Sequence, residues 1–362
     1  MGDPPRVCKN PVTPFHAAPQ HGPRPLPLFL EMLRTQTAQS PERRSAALAG
    51  LTAYQQADRG PRRRLGGIRH RRRRAMLRDY GGTGRPVVVV PSLINPPFIV
   101  DLTRQKSLLR WLAAQGHHVW LVDWGTPNAA ARAMDLGDHV TQLLLPLIAK
   151  LPEPPVLIGY CLGGTIAAAA ACLAPVAGLA MIAAPWHFSG FDAVARSRIA
   201  ALWAAAKPAC TAMGLVPMEV LQSGFWQLDP ARTIAKYEAF AAMPPGSADA
   251  RSFVALEDWA NAGAPLPYAA AAQMFEGLFA DDITGTGQWL VDGTPIALHR
   301  LACPCIDFVS LHDRIVPAAS AAGFTDRHEL AAGHVGMIVG RGAQAQLWSP
   351  LNDWISRVSG AR

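Results

Sequence analysis

The chain has 362 residues, half of them apolar and 17% charged, with a net charge of +8. That balance excludes a disordered polymer and a small disulfide-stapled scaffold, and the length suits one large α/β unit with insertions. The six cysteines are scattered and the N-terminus carries no charged-then-apolar leader, so free thiols and a cytoplasmic setting are expected.

Residues 1–27 are rich in proline and poor in periodic apolar positions, which reads as a flexible arm. A short helical run begins at Leu28-Phe29. A basic stretch follows: Arg62, Arg63 and Arg64, then Arg69, His70, Arg71, Arg72, Arg73 and Arg74, then Arg78. Its plain reading is a solvated basic helix. Clustered arginines also suit an acidic partner, an anionic surface or phosphates. No aromatic interleaving or binding module accompanies them, so nucleic acid is not an expected partner.

Strand–helix alternation is expected from Arg85 onward. Val87 to Val90 is a run of four valines, suited to a strand buried on both faces. Leu102 to Gln115 reads as a helix ended by Gly116, His118 to Trp124 as a strand, and Asp138 to Leu151 as a helix that Pro146 kinks. Val156 to Pro185 is apolar enough to pass for a membrane span. Gly159, Gly163, Gly164, Pro175 and Pro185 interrupt it, so strand, helix, strand is the better reading and no transmembrane segment is expected. This alternation predicts an α/β fold with a mostly parallel sheet and helices on both faces.

The rhythm breaks from Trp186 to about Trp289, where the sequence is helical and rich in aromatics, as in a cap over the sheet. It resumes in the strand Cys305 to Leu311 and a short strand from His328 to Ala332, and a helix over Ala343 to Ser359 closes the chain. Cys303-Pro304-Cys305 is too tight for C-x-x-C spacing and reads as the lead into a strand. Neither a metal nor an organic cofactor is expected.

GYCLGGT, Gly159 to Thr165, has the shape of a Gly-x-Ser-x-Gly nucleophile elbow with cysteine at its centre. Glycines are needed where the turning strand and helix approach closely. The turn sets Cys161 at a helix N-terminus, whose free N–H groups stabilise a thiolate. The Leu162 N–H would face an oxyanion, with a second donor from the loop Ser92 to Asn95, at Leu93 or Ile94. A nucleophilic cysteine needs a base, and the base needs an orienting acid. Asp313 in HDRIVP and His334 in AGHVG follow strands in that order, at the carboxyl ends where such sites form. His312 is a rival base and Asp123 a rival acid. Against these readings, Cys161 could be a small buried hydrophobe, Asp313 a turn residue and His334 an ordinary loop histidine.

Together these stretches resemble the polyhydroxyalkanoate synthases of the α/β-hydrolase superfamily. The elbow IGYCLGGT is similar to that family's cysteine box. VVVVPSLINPPFIVDLTRQKSLLRWLAAQGHHVWLVDWGTP is similar to its N-terminal core block, and HDRIVP and GHVG to its acid and histidine motifs. The similarity runs over residues 80 to 345. Pro96-Pro97 departs from it, standing where the family carries larger residues.

The resemblance implies an α/β-hydrolase fold with a helical cap. It divides the chain into an N-terminal arm with Arg-rich segments (1–80), a first core part (81–185), the cap (186–290) and a second core part (291–362). It implies that a 3-hydroxyacyl-CoA acylates Cys161, that His334 activates the thiol, and that Asp313 orients His334 or helps deprotonate the incoming hydroxyl. The product would be a polyester, the setting cytoplasmic at polyester granules, and the partners a granule surface and a second synthase subunit or a homodimer. Two other readings stay open: a cysteine-dependent esterase or thioesterase, and a non-catalytic granule-associated or partner-binding protein.

Overall fold

The computed structural model describes residues 22–59 and 64–360. The first 21 residues, including most of the Pro-rich arm, and Arg62 and Arg63 lie outside them.

Eight strands form one sheet: β1 (Gly67–Arg72), β2 (Ala75–Asp79), β3 (Thr83–Val90), β4 (His117–Asp123), β5 (Val156–Tyr160), β6 (Gly178–Ile182), β7 (Cys305–Ser310) and β8 (Asp326–Leu330). Their spatial order is β1-β2-β4-β3-β5-β6-β7-β8. β1–β2 and β2–β4 pair antiparallel, and every other pair is parallel. The central strands are apolar throughout because both faces are covered. Side chains alternate: Val88, Val90 and Leu157 point into one core, Val87, Val89, Val156 and Ile158 into the other. A helix on the first side, α1 of the core (Leu162–Leu173), is buried over its first nine residues, all small or apolar. The segment that could pass for a membrane span is therefore β5, this helix and β6. Among the described residues no helix is long and apolar enough to cross a membrane.

The Arg-rich stretch departs from expectation. It is not a helix but the β1–β2 hairpin, which starts the sheet well before Arg85. Arginine's long stem tolerates an exposed edge strand, and Arg73 turns the chain at φ 51°. The helix expected over Asp138–Leu151 runs from Leu136 to Ile148 and widens into a π turn over His139–Leu144, just ahead of Pro146. The wider turn accommodates a ring that has no N–H to donate.

Between β6 and β7 the chain is helical: α2 (Ala193–Met213), α3 (Met218–Leu228), α4 (Pro230–Ala241), α5 (Ala248–Asn261) and a run from Tyr268 to Ala280. Asp192, Asp229 and Ser247 cap three of these helices through their side chains. Two N-terminal helices, Leu26–Gln36 and Pro41–Gln56, pack on them rather than projecting freely. Phe29 and Tyr54 meet Tyr237 edge-on at 4.8 and 5.9 Å, and Phe29 meets Trp226 at 5.7 Å. This separate apolar cluster ties the start of the chain to the helices above the sheet.

Candidate active site

Tyr160 ends β5 and Leu162 begins α1 of the core, so the whole reversal falls on Cys161, at φ 55°, ψ −134°. A side chain rarely adopts such angles, and the surrounding contacts must hold it there. The Cys161 N–H donates to the Ile182 carbonyl at 3.0 Å, and its carbonyl accepts from the Gly164 N–H at 2.8 Å. A Cβ on Gly159 would stand 2.2 Å from Gly164 Cα, and one on Gly163 2.2 Å from the Val90 carbonyl oxygen. Strand, helix and the loop after β3 meet so closely that only glycine fits.

The sheet delivers the other two residues. Asp313 follows β7 and His334 follows β8. His334 Nδ1 donates to Asp313 Oδ2 at 2.6 Å, and the carboxylate is fully buried. Asp313 Oδ1 accepts from the Ile315 and Val316 N–H groups at 2.8 and 3.0 Å. These amides fix the carboxylate, so its other oxygen is committed to the imidazole. Nε2 is then left for Cys161, which lines the same cavity as His334. Burial pushes the imidazole down, but the charges on Cys161 and Asp313 and the bonds to both outweigh it and raise His334 to about 10.

Tyr160, which sequence reasoning passed over, holds His334 twice. Its ring stacks on the imidazole at 5.1 Å and 27°, and its hydroxyl donates to the His334 carbonyl at 3.2 Å. The tyrosine was visible beside the cysteine, but the partner of its ring was not.

Around the sulfur, Leu162 opens a helix, so its N–H is among those with no intrahelical acceptor. The Ile94 N–H donates to Ser92 Oγ at 3.2 Å, against the expectation that it is free for an oxyanion. The serine turns that amide into its own loop. The Leu93 N–H has no acceptor among the described residues. Asp123 is engaged by Arg78 at 2.8 Å and by the Gly125 N–H, and His312 is exposed, so neither rival enters the site.

Two cavities meet at Cys161. The larger, about 720 Å³, has walls of Phe188, Phe191, Leu202, Phe275 and Phe279 and also reaches Asp313. The smaller, about 210 Å³, is lined by polar groups from Ser92, Asn95, Gln222, Thr233, Lys236 and His334. Among the described residues no group of His, Cys, Asp and Glu could hold a metal ion. Cys303 and Cys305 lie with sulfurs 3.9 Å apart at the opposite end of the sheet, where β7 starts.

The chain is similar to curated relatives over three quarters of its length. The poly(3-hydroxyalkanoate) polymerase subunit PhaC of Haloferax mediterranei is 28% identical over 76% of this chain and 59% of its own. That of Haloarcula marismortui is 26% identical over 76% of this chain and 61% of its own. That of Allochromatium vinosum is 27% identical over 75% and 80%. The chain thus spans about three fifths of the two haloarchaeal relatives. A carboxylesterase of Nitrososphaera gargenis shares the fold at a TM-score of 0.51 and 15% identity, over 79% of this chain and 95% of its own. The resemblance to polyhydroxyalkanoate synthases that the cysteine elbow suggested therefore extends well beyond the elbow. The family profile described as the alpha/beta hydrolase family matches residues 98–344, and with its sheet order and elbow the chain belongs to that family.

Proposed function

We propose that the chain is an acyltransferase that polymerises 3-hydroxyacyl-CoA into polyester with release of CoA. Cys161 is the nucleophile, His334 the base and Asp313 the group that orients it. The observation that carries this reading is the cysteine at the strained elbow, lining one cavity with a histidine whose Nδ1 is bonded to a buried carboxylate. The names of the relatives supply the substrate class.

In the first half-reaction the Cys161 sulfur attacks the thioester carbonyl, with its proton on His334. The oxyanion is held by the Leu162 N–H and by the Leu93–Ile94 loop, where the Leu93 N–H has no other acceptor among the described residues. The tetrahedral intermediate collapses, the CoA sulfur leaves, and it takes the proton from His334. In the second half-reaction the hydroxyl of the next unit gives its proton to His334 and attacks the acyl carbon on Cys161. Sulfur suits this cycle. Exchange of one thioester for another conserves the driving force for ester formation, whereas an oxygen ester at the elbow would be a deeper trap.

The relatives are named as subunits, which supports a second subunit as partner. Incubation with 3-hydroxybutyryl-CoA, with CoA release and product followed together, tests the reading. Polymer, lost in Cys161→Ala, is expected. Release of CoA with only free acid would show a thioesterase instead, and undiminished release in Cys161→Ala would remove Cys161 from the mechanism.

A further inference from the structure

α3 (Met218–Leu228) is the wall between the two cavities. Leu221, Gly224, Phe225 and Leu228, at helical spacing, face the large one. Gln222, Phe225 and Trp226 face the small one. His334 lines the small cavity and not the large one. A hydroxyl that loses its proton to His334 must therefore come from the small side, while the apolar chamber is free to take the acyl chain.

Most polar groups of the small cavity are already engaged; the Gln222 amide and the Trp226 indole N–H are not. Ser92 Oγ accepts from Ile94, and Asn95 Nδ2 donates to the Ala260 carbonyl at 3.5 Å. Thr233 Oγ1 donates to the Asp229 carbonyl at 2.9 Å, and Lys236 Nζ to Glu257 at 2.8 Å. Gln222 is only 6% exposed, yet its side-chain amide has no hydrogen-bond partner among the described residues. The amide nitrogen and oxygen are not themselves fully enclosed, so they open onto the small cavity that the residue lines. The amide has two donors and an acceptor to offer.

We infer that the small cavity is the acyl-acceptor subsite and that Gln222 binds the hydroxyl-bearing end of an incoming 3-hydroxyacyl thioester. The inference rests on the proposed function and goes beyond it. The amide oxygen accepts from the 3-hydroxyl, or its N–H groups donate to the neighbouring carbonyl, while Trp226 and Trp259 pack on the apolar remainder. In the transfer the acceptor oxygen bonds the acyl carbon and the C–S bond to Cys161 breaks. The electron pair returns to sulfur and the hydroxyl proton passes to His334. Gln222 thus favours an organic hydroxyl over water at the acceptor position, the choice that separates polymerisation from hydrolysis.

The test compares wild type, Gln222→Met, which keeps the volume without the amide, and Gln222→Asn, which keeps the amide with shorter reach. Single-turnover CoA release from butyryl-CoA, which has no hydroxyl, measures loading of Cys161. Multiple turnover with 3-hydroxybutyryl-CoA measures elongation. Gln222→Met is expected to lower the ratio of elongation to loading roughly 10- to 100-fold and to raise the share of free acid, with Gln222→Asn in between. An unchanged ratio overturns the inference. So does an equal fall of both rates alongside a lowered Tm, which marks a packing role. A wild-type protein that loads but never elongates would overturn the functional reading itself, a result distinct from either.

Discussion

Asp313→Asn changes one atom and should disable the site without unfolding it. Oδ1 accepts from the Ile315 and Val316 amides, an arrangement that asparagine can keep only with its carbonyl oxygen. Its NH2 must then face His334 Nδ1, where Oδ2 accepted a proton at 2.6 Å. Two donors cannot share that position, so the imidazole must move its proton to Nε2 and present a donor to Cys161. A hydrogen bond to a charged group contributes about 1.5–3 kcal/mol. Its loss alone would slow acylation by roughly 10- to 100-fold. The wrong tautomer adds to this, as in the serine triad, where the same exchange costs about 10⁴. Acylation should fall by roughly 10³–10⁴-fold, with the inflection due to His334 moving down from about 10 as its carboxylate is lost. Stopped-flow CoA release measured against pH reads both. A variant that acylates within a few-fold of wild type would refute the argument that Asp313 fixes the tautomer.

Three further outcomes are expected. The unfolded imidazole titrates near 6.5 and the folded one at about 10. The stabilisation from His334 is therefore fully present below about pH 6.5 and is lost as pH rises through about 10. The Tm gap between wild type and His334→Gln should narrow across that range, and a gap independent of pH would contradict it. Gly163→Ala would place a Cβ 2.2 Å from the Val90 oxygen and 2.6 Å from the Pro91 oxygen. Overpacking of this kind costs about 1–3 kcal/mol in denaturant melts, and the displaced loop should slow acylation more than it lowers stability. Tyr160→Phe removes the 3.2 Å bond to the His334 carbonyl but keeps the stacked ring. About 1 kcal/mol of stability is at stake, whereas Tyr160→Leu, which also loses the stack, should shift the pH profile of acylation; identical profiles would count against a positioning role.

The elbow was legible because its constraints are local. A strand, a reversal and a helix within Val156–Leu173 leave few choices, and the glycines mark where backbones meet. Asp313 and His334 were legible by order and strand context alone. What could not be read were contacts across long sequence distances that have no pattern of their own. Ser92 takes the Ile94 amide through a two-residue turn that propensity does not distinguish from an open loop. Gln222 is an ordinary polar residue on an amphipathic helix until the cavity beside His334 is seen.

The arginine stretch was misread for a related reason. Charge density in RHRRRR overwhelms any period, so a helix and a strand look alike in sequence. The sheet resolves it. Arg78 is held by Asp123, Arg69 by Asp79, Arg72 by the Gln142 carbonyl, and Arg74 meets His139 Nε2 at 2.6 Å. The Arg69–Asp79 pair joins the two strands of the hairpin and the other three contacts tie it to β4 or to the helical run beside it, so part of the positive charge is structural. Arg71 and Arg73 stay exposed on or beside β1, the outermost strand. An edge strand offers unpaired backbone groups to any passing chain, and a row of like charges repels a second copy of itself. The same arginines that obscured the strand in the sequence set a row of like charges along the exposed edge of the sheet.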